Sequence, residues 1–236
     1  MTATTTATAN RRWMSPPDAA APAEAPRGCP LCPRLVAYRQ ENRAREPGWF
    51  NDPAPSFGDP EARLLVVGLA PGRSGANRTG RPFTGDHAGV LLYCTLLKLG
   101  LATGRYEARP DDGLQLVDCM ITNAVRCAPP GNKPEPSEEG NCRPFLTSRI
   151  AALPRLKAII TLGDVSRRNV LKALGLKGSA APGGHGTEFD AGGYRLFNSY
   201  HCSRLNTNTG RLTPEMFEEV FRRAQAYVAE ASARAG

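Results

Sequence analysis

Residues 64–72 read LLVVGLAPG, an apolar run followed by a loop with two glycines and a proline. A short, continuously apolar run that ends at a glycine is typical of a strand buried on both faces, as in a parallel sheet. Residues 119–123, 158–163 and 194–200 also read as strands. These four segments predict the strands of one central sheet.

Helical patterns alternate with these strands, at residues 34–45, 87–99, 137–153, 164–174 and from 213 onward. Ser137, Asp164 and Thr213 are residue types that cap helix N-termini, and Pro214 suits a first helical position. Strands that alternate with helices imply an α/β fold. We therefore expect a single domain with a central, mainly parallel four-stranded sheet flanked by helices.

The helix predicted at 87–99 has apolar residues at helical spacing, namely Val90, Leu91, Cys94 and Leu97. This stripe predicts the buried face of the helix. Cys94 on that helix and Cys119 on a predicted strand are therefore expected to pack in the core.

The two ends of the chain differ in composition. Residues 1–27 are rich in Ala, Thr and Pro and contain few bulky apolar side chains. Such a segment buries too little surface to offset its ordering entropy, so it is predicted to be a flexible tail. Residues 28–236 are predicted to form the folded domain.

The charge balance favours a polyanionic partner. The chain has 30 basic and 22 acidic residues, a formal net charge of +8. Lys and Arg neutralise phosphates and release counterions, although an arginine-rich composition also arises from genome bias. No run of about 18 apolar residues and no secretory signal pattern is visible, so neither membrane association nor secretion is expected.

The loops that carry polar residues all follow predicted strands. They begin at Gly68, Asn123, Gly163 and His201. In open α/β sheets, ligands bind beyond the carboxyl ends of the strands. The sequence therefore predicts that these loops converge on one site.

Four of the seven cysteines have a spacing that suits metal ligands: Cys29, Cys32, Cys127 and Cys142. Cys-x-x-Cys places two thiolates near one metal, and four cysteines can hold zinc or a [4Fe–4S] cluster. Spacing alone does not separate these two groups, and four unrelated core cysteines are the third reading. Thiolate ligands also fit a cytosolic chain better than an odd number of disulfide cysteines.

With these four cysteines, three loops of the chain resemble the family 5 uracil-DNA glycosylases. The glycine-rich stretch 68–86, with its Pro-Phe and Gly-Asp pairs, is similar to the first motif of that family. Residues 122–130 resemble the segment that joins base reader to cluster ligand, and 201–206 resemble the His-x-Ser motif. The resemblance covers about residues 29–225. It implies a [4Fe–4S] cluster on the four cysteines that braces loops near DNA.

The resemblance also implies two catalytic residues. Hydrolysis of an N-glycosidic bond develops positive charge on the deoxyribose and negative charge on the leaving base. Asp86 is expected to stabilise the sugar cation or orient water, and His201 to donate to the base's O2. Two ordinary alternatives are that Asp86 caps the helix at His87 and that His201 is a structural histidine.

Three further residues are implied to bind the flipped base. Phe83 offers a flat apolar face, and the amide of Asn123 pairs with the base edge. Ala70 lies in a stretch, 69–71, that has no polar side chain, a departure from many related glycosylases that is typical of family 5. The alternatives are a core phenylalanine and a turn asparagine.

The loop from His201 is implied to meet DNA. Ser203 would contact a phosphate, Leu205 would enter the duplex as a wedge, and Arg204 and Arg211 would meet the backbone. A solvated basic loop is the alternative for the two arginines. Cys202 has no assigned role.

The implied function is a monofunctional DNA glycosylase of bacterial base excision repair, which uses water and leaves an abasic site. Uracil is the expected base, with hypoxanthine and ethenocytosine as further ones. We expect a cytoplasmic, nucleoid-associated monomer whose partner is DNA. The alternatives are a catalytically silent nucleic-acid-binding module with a zinc or iron–sulfur staple, and an electron-transfer protein.

Overall fold

The computed structural model describes residues 22–234, with a six-stranded sheet at the centre. The strands are β1 Phe57–Gly58, β2 Leu64–Gly68, β3 Ala102–Thr103, β4 Gln115–Leu116, β5 Cys119–Asn123, β6 Ala158–Leu162, β7 Glu188–Asp190 and β8 Arg195–Ser199. The helices are α1 Pro33–Arg45, α2 Ala76–Thr79, α3 His87–Lys98, α4 Pro136–Ala151, α5 Asp164–Ala173, α6 Arg204–Asn208 and α7 Pro214–Ala233.

The sheet has the order β1-β5-β2-β6-β8-β7. Its four central strands are parallel and are the four that the sequence predicts. The edge strands β1 and β7 pair antiparallel, so the sheet has six strands and not the predicted four. These edges are two and three residues long and only partly buried, too short to show a periodic pattern. Strands β3 and β4 form a separate hairpin.

The core lies on both faces of this sheet. Every residue of β2, β5 and β6 is buried, as continuous apolar runs in a parallel sheet require. Helices α3 and α7 pack over one face, and α4 and α5 over the other. The α/β prediction is confirmed.

The predicted buried face of α3 is wrong for Val90 and Cys94, whereas Leu91 and Leu97 are partly buried against the core. Val90 is 52% exposed and Cys94 is exposed, whereas Leu92, Tyr93 and Leu96 are fully buried. Apolar residues occur on several sides of this helix, so spacing does not select one face. Contacts of α3 with α7 and with the β3–β4 hairpin select it instead. Cys119 is buried, as predicted.

Two of the predicted helix starts shift by one or two residues. α7 begins as predicted, with Thr213 as N-cap accepting from the Met216 N–H at 3.2 Å. α4 begins at Pro136, after the N-cap Glu135 and before the predicted cap Ser137. Gly163 is the N-cap of α5, and Asp164 is its first helical residue.

Most of the predicted tail, residues 1–21, lies outside the described residues. Residues 22–27 are described, and within them Glu24 contacts the domain. Its carboxylate lies 3.2 Å from a guanidinium nitrogen of Arg126, which is 1% exposed, and also pairs with Arg149. In the described part of the chain, no helix has both the length and the apolarity needed to span a membrane.

Candidate active site

A cleft of about 420 Å³ lies beyond the carboxyl ends of the central strands. Its lining residues are Leu69, Ala70, Pro71, Gly72, Phe83, Asp86, His87, Ala88, Asn123, Asn132, His201, Ser203 and Arg204. The loops after β2, β5 and β8 therefore converge as predicted. The loop after β6 does not line the cleft. It lies behind it, since a Cβ on Gly163 would be 3.4 Å from the His201 Cβ.

Asp86 reaches the cleft from the start of α3. It is the N-cap of α3, with Oδ1 accepting from the Gly89 N–H at 3.1 Å. Oδ2 lies against two loop glycines, and a Cβ on Gly75 would approach it to 2.3 Å. Burial raises the pKa of Asp86, and hydrogen bonds from backbone N–H groups lower it in part. One carboxylate oxygen thus caps the helix, and the second remains for chemistry.

His201 reaches the same cleft from the loop after β8, two residues beyond the last strand residue, Ser199. Its backbone is anchored by the Asn206 side chain, which donates to the His201 carbonyl at 2.8 Å. Among residues 22–234 no hydrogen-bond partner is found for its ring. Burial lowers the pKa of His201 to about 4, so the imidazole is neutral near pH 7 and can donate one N–H.

The side chains of Phe83 and Asn123 both pack closely against Gly68. A Cβ on Gly68 would lie 2.4 Å from Asn123 Oδ1 and 2.5 Å from Phe83 Cζ, so only glycine allows this approach. Phe83 is 6% exposed, and its ring centroid is 6.1 Å from that of His201. Asn123 is 2% exposed, and its buried Oδ1 has no hydrogen-bond partner within residues 22–234. A buried, unpaired amide beside an aromatic ring is suited to a planar polar ligand.

Two polar residues of the cleft lining, Asn132 and His87, were not predicted from the sequence. Asn132 follows the Pro-Pro-Gly turn after Cys127, with a φ of +57°. His87 also lines the cleft, and its Nε2 lies 3.0 Å from Thr207 Oγ1 on α6. The Gly-Asn pair after two prolines is a turn signal that marks Asn132 in the sequence. The position of His87 depends on how α3 and α6 meet, which no local pattern shows.

The predicted DNA-contact residues divide into two groups. Ser203 and Arg204 line the cleft, and the Ser203 hydroxyl also caps α6 by accepting from the Asn206 N–H at 3.5 Å. Leu205 projects from α6 with 73% exposure. Arg211 is not part of the cleft lining. Its guanidinium lies 4.4 Å from the Tyr200 ring centroid.

The four predicted ligand cysteines, Cys29, Cys32, Cys127 and Cys142, line one cavity beside the cleft. This arrangement suits one shared site for zinc or a [4Fe–4S] cluster better than four unrelated core positions. Ala70 joins the two regions, because it lines the cleft and packs against the cysteine cluster. Three nitrogen donors point at the sulfurs: Arg39 at Cys127 (3.4 Å), the Arg126 amide at Cys142 (3.2 Å) and Asn141 at Cys32 (3.7 Å). Such donors stabilise thiolate charge.

Two further observations concern how these cysteines could bind a metal. Within residues 22–234, no three His, Cys, Asp or Glu side chains are grouped as ligands of a single metal ion. Burial raises the pKa of Cys127 to about 12 and that of Cys142 to about 11, so metal binding must displace their protons.

Comparison with known proteins gives one family for this chain. The family model described as the Uracil DNA glycosylase superfamily matches residues 55–225. A Type-5 uracil-DNA glycosylase of Thermus thermophilus is 48% identical, over 84% of this chain and 92% of the relative. Proteins of the same name from Pyrobaculum aerophilum and Mycobacterium tuberculosis are 45% and 42% identical, over 88% and 77% of their own lengths. A Type-4 uracil-DNA glycosylase of Pyrobaculum aerophilum is 33% identical over 63% of this chain.

Proposed function

The chain belongs to the uracil DNA glycosylase superfamily, and we propose how its cleft releases uracil from DNA. The protein is a uracil-DNA glycosylase of base excision repair, a hydrolase of N-glycosyl bonds. The proposal concerns the roles of individual residues, the base range and the cofactor.

The meeting of Asn123 and Phe83 over Gly68 is the observation that carries the mechanism. A uracil that enters the cleft stacks on the Phe83 ring, and Asn123 pairs with its edge. The buried Oδ1 accepts from the N3–H of uracil, which replaces the partner that this oxygen lacks among residues 22–234. Burying an unpaired acceptor costs free energy, so the site favours a base that donates there.

Asp86 and His201 act on opposite charges of the bond-breaking step. Neutral His201 donates a hydrogen bond to the uracil O2, where negative charge develops. The free carboxylate oxygen of Asp86 stabilises the sugar cation and orients the attacking water. Because both groups are held by backbone contacts before substrate arrives, they need little reorganisation during the reaction.

We propose that hypoxanthine and ethenocytosine are also substrates. The support is the wall formed by Leu69, Ala70 and Pro71, which lines the cleft without a polar side chain. A wall without fixed donors or acceptors rejects few bases, including those that lack the N–H through which uracil pairs with Asn123.

We further propose that Cys29, Cys32, Cys127 and Cys142 hold a [4Fe–4S] cluster. The shared cavity of the four cysteines and the three nitrogen donors to their sulfurs support this proposal. The cluster would supply a rigid staple for the segment 123–127 and not electron transfer. This segment joins the base reader to the third ligand.

The protein is proposed to act as a monomer in the bacterial cytoplasm, on nucleoid DNA. Size-exclusion chromatography with light scattering checks this state, and a dimer at working concentration would contradict it.

A labelled oligonucleotide with one uracil tests the proposed reaction. Treatment with the protein and then with hot alkali should cleave the strand at the uracil position, whereas protein treatment alone should leave it intact. Binding without alkali-sensitive cleavage would instead indicate the silent module.

A further inference from the structure

The loop that carries Phe83 and Asp86 has an unusual backbone. Phe83 has a φ of +54°, a left-handed conformation that costs a non-glycine residue free energy. Such a conformation persists only where surrounding contacts hold it. The contacts that hold it come from residues that no step of the mechanism uses.

Two tyrosine hydroxyls donate hydrogen bonds to backbone carbonyls of this loop. Tyr93 donates to the Pro82 carbonyl at 2.6 Å, and Tyr106 donates to the Phe83 carbonyl at 3.1 Å. The two rings are stacked on one another with centroids 4.6 Å apart. Gly89 leaves room for this geometry, since a Cβ there would lie 1.7 Å from the Phe83 carbonyl oxygen.

A buried ion pair holds the tyrosines in place. Arg81 makes two parallel hydrogen bonds of 2.7 Å to the carboxylate of Asp112, whose side chain is fully buried. The third guanidinium nitrogen of Arg81, Nε, donates to Thr84 Oγ1 at 2.7 Å. The guanidinium carbon also lies 5.4 Å and 5.9 Å from the ring centroids of Tyr93 and Tyr106. Cation–π attraction and bidentate pairing together fix one geometry.

Asp112 and Tyr106 belong to the connection between β3 and β4, more than 20 residues beyond Phe83 in sequence. Asp112 closes this connection on itself by accepting from the N–H groups of Glu107 and Leu114. Hydrogen bonds from Arg81 lower the pKa of Asp112, so both partners stay charged at neutral pH. The connection is therefore a rigid support outside the cleft lining.

We propose that Tyr106 and Asp112 are positioning residues of the glycosylase, which hold Phe83 under the base and, through the same loop, Asp86 at the sugar. The inference rests on the proposed roles of Phe83 and Asp86. Neither positioning residue lines the cleft, so both act through the backbone of residues 81–86.

Tyr106→Phe is the sharpest test, because it removes one hydroxyl and keeps the stacked ring. The rate of uracil release in single turnover should fall about fivefold, the scale of one hydrogen bond between neutral groups. Affinity for DNA with a non-hydrolysable deoxyuridine analogue should stay within about twofold, since phosphate contacts are untouched. Tyr194→Phe is the matched control, because Tyr194 packs in the other core cluster.

Two further readouts separate positioning from general destabilisation. Hydrogen exchange at the amides of residues 83–89 should speed up in Tyr106→Phe and not in Tyr194→Phe, and it requires no catalysis. Asp112→Asn, which breaks the pair with buried Arg81, should show the same split between rate and affinity more strongly. Wild-type rates and exchange in Tyr106→Phe would overturn the proposal even if the protein releases uracil. A wild-type protein that releases no uracil would instead overturn the proposed roles in catalysis.

Discussion

At the scale of single residues, one side chain of the site serves both the fold and the proposed chemistry. Asp86 caps α3 with one oxygen and presents the other, so a change to alanine removes a cap and a charge together. Loss of an N-cap costs about 1 kcal/mol of stability. Asparagine keeps the cap and removes only the charge, which makes it the cleaner substitution.

Asp86→Asn and His201→Ala should each slow uracil release by about 30- to 1000-fold, the cost of one preorganised electrostatic contact. DNA affinity should change little. Asn123→Ala should differ in kind, with a larger loss for uracil than for ethenocytosine, because ethenocytosine lacks the N3–H from which Asn123 accepts. Single-turnover excision of both bases measures all three. Wild-type uracil rates in Asp86→Asn and His201→Ala would place the active site elsewhere.

The lowered pKa of His201 links stability to pH. Its folded-state pKa of about 4 lies below the ordinary 6.5, so the unfolded chain binds more protons between these values. The contribution of His201 to stability is therefore complete above about pH 6.5 and is lost as pH falls towards 4. In urea unfolding, the free energy of unfolding should fall less between about pH 6.5 and pH 4 in His201→Asn than in wild type. His185, whose pKa burial also lowers, adds the same trend to both proteins.

At the scale of elements, sequence patterns predict the four central strands but not the features that depend on tertiary contacts. Strands β2, β5 and β6 are mostly apolar, which local reading detects, and β8 has an apolar centre at Leu196 and Phe197. The edge strand β7 pairs through three partly exposed residues, and its pairing with β8 exists only in the folded sheet. The face of α3 is equally non-local, since α7 and the hairpin select it. Most predicted cleft residues follow strand ends, whereas His87 requires the packing of two helices.

The short helix α6 presents Leu205 to solvent beside the cleft. An apolar side chain so exposed suits insertion into the gap that a flipped base leaves in a duplex. Leu205→Ala should therefore reduce uracil release from duplex DNA more than from single strands, which have no gap to fill. Single-turnover rates on both substrates measure this ratio. Equal losses on the two substrates would contradict a wedge.

At the scale of the whole molecule, the cysteine cavity ties the N-terminal part of the domain to the sheet. Cys29 and Cys32 precede α1, Cys127 follows β5, and Cys142 lies within α4. A group bound to all four joins segments more than 100 residues apart in sequence. Closing so long a loop removes much chain entropy from the unfolded state.

Purified protein should contain four iron atoms and absorb broadly near about 400 nm. Cys127→Ala should lose that absorbance and unfold at lower temperature. Cys94→Ala is the matched control, because Cys94 is exposed on α3 and lies outside the cavity. Metal analysis after anaerobic purification measures the content. Stoichiometric zinc without iron would contradict the cluster.

The salt bridge of Glu24 determines where a fusion protein can be joined. Composition places the domain boundary at residue 28, yet the counter-charge for the guanidinium of Arg126 comes from Glu24. A truncated chain that starts at Gly28 would keep this guanidinium in the interior without its carboxylate. Because the Glu24 side chain is 32% exposed, the expected loss of stability is smaller than the roughly 3–5 kcal/mol typical of a fully buried pair. A linker or protease site is therefore better placed before residue 22, where cleavage leaves the pair intact.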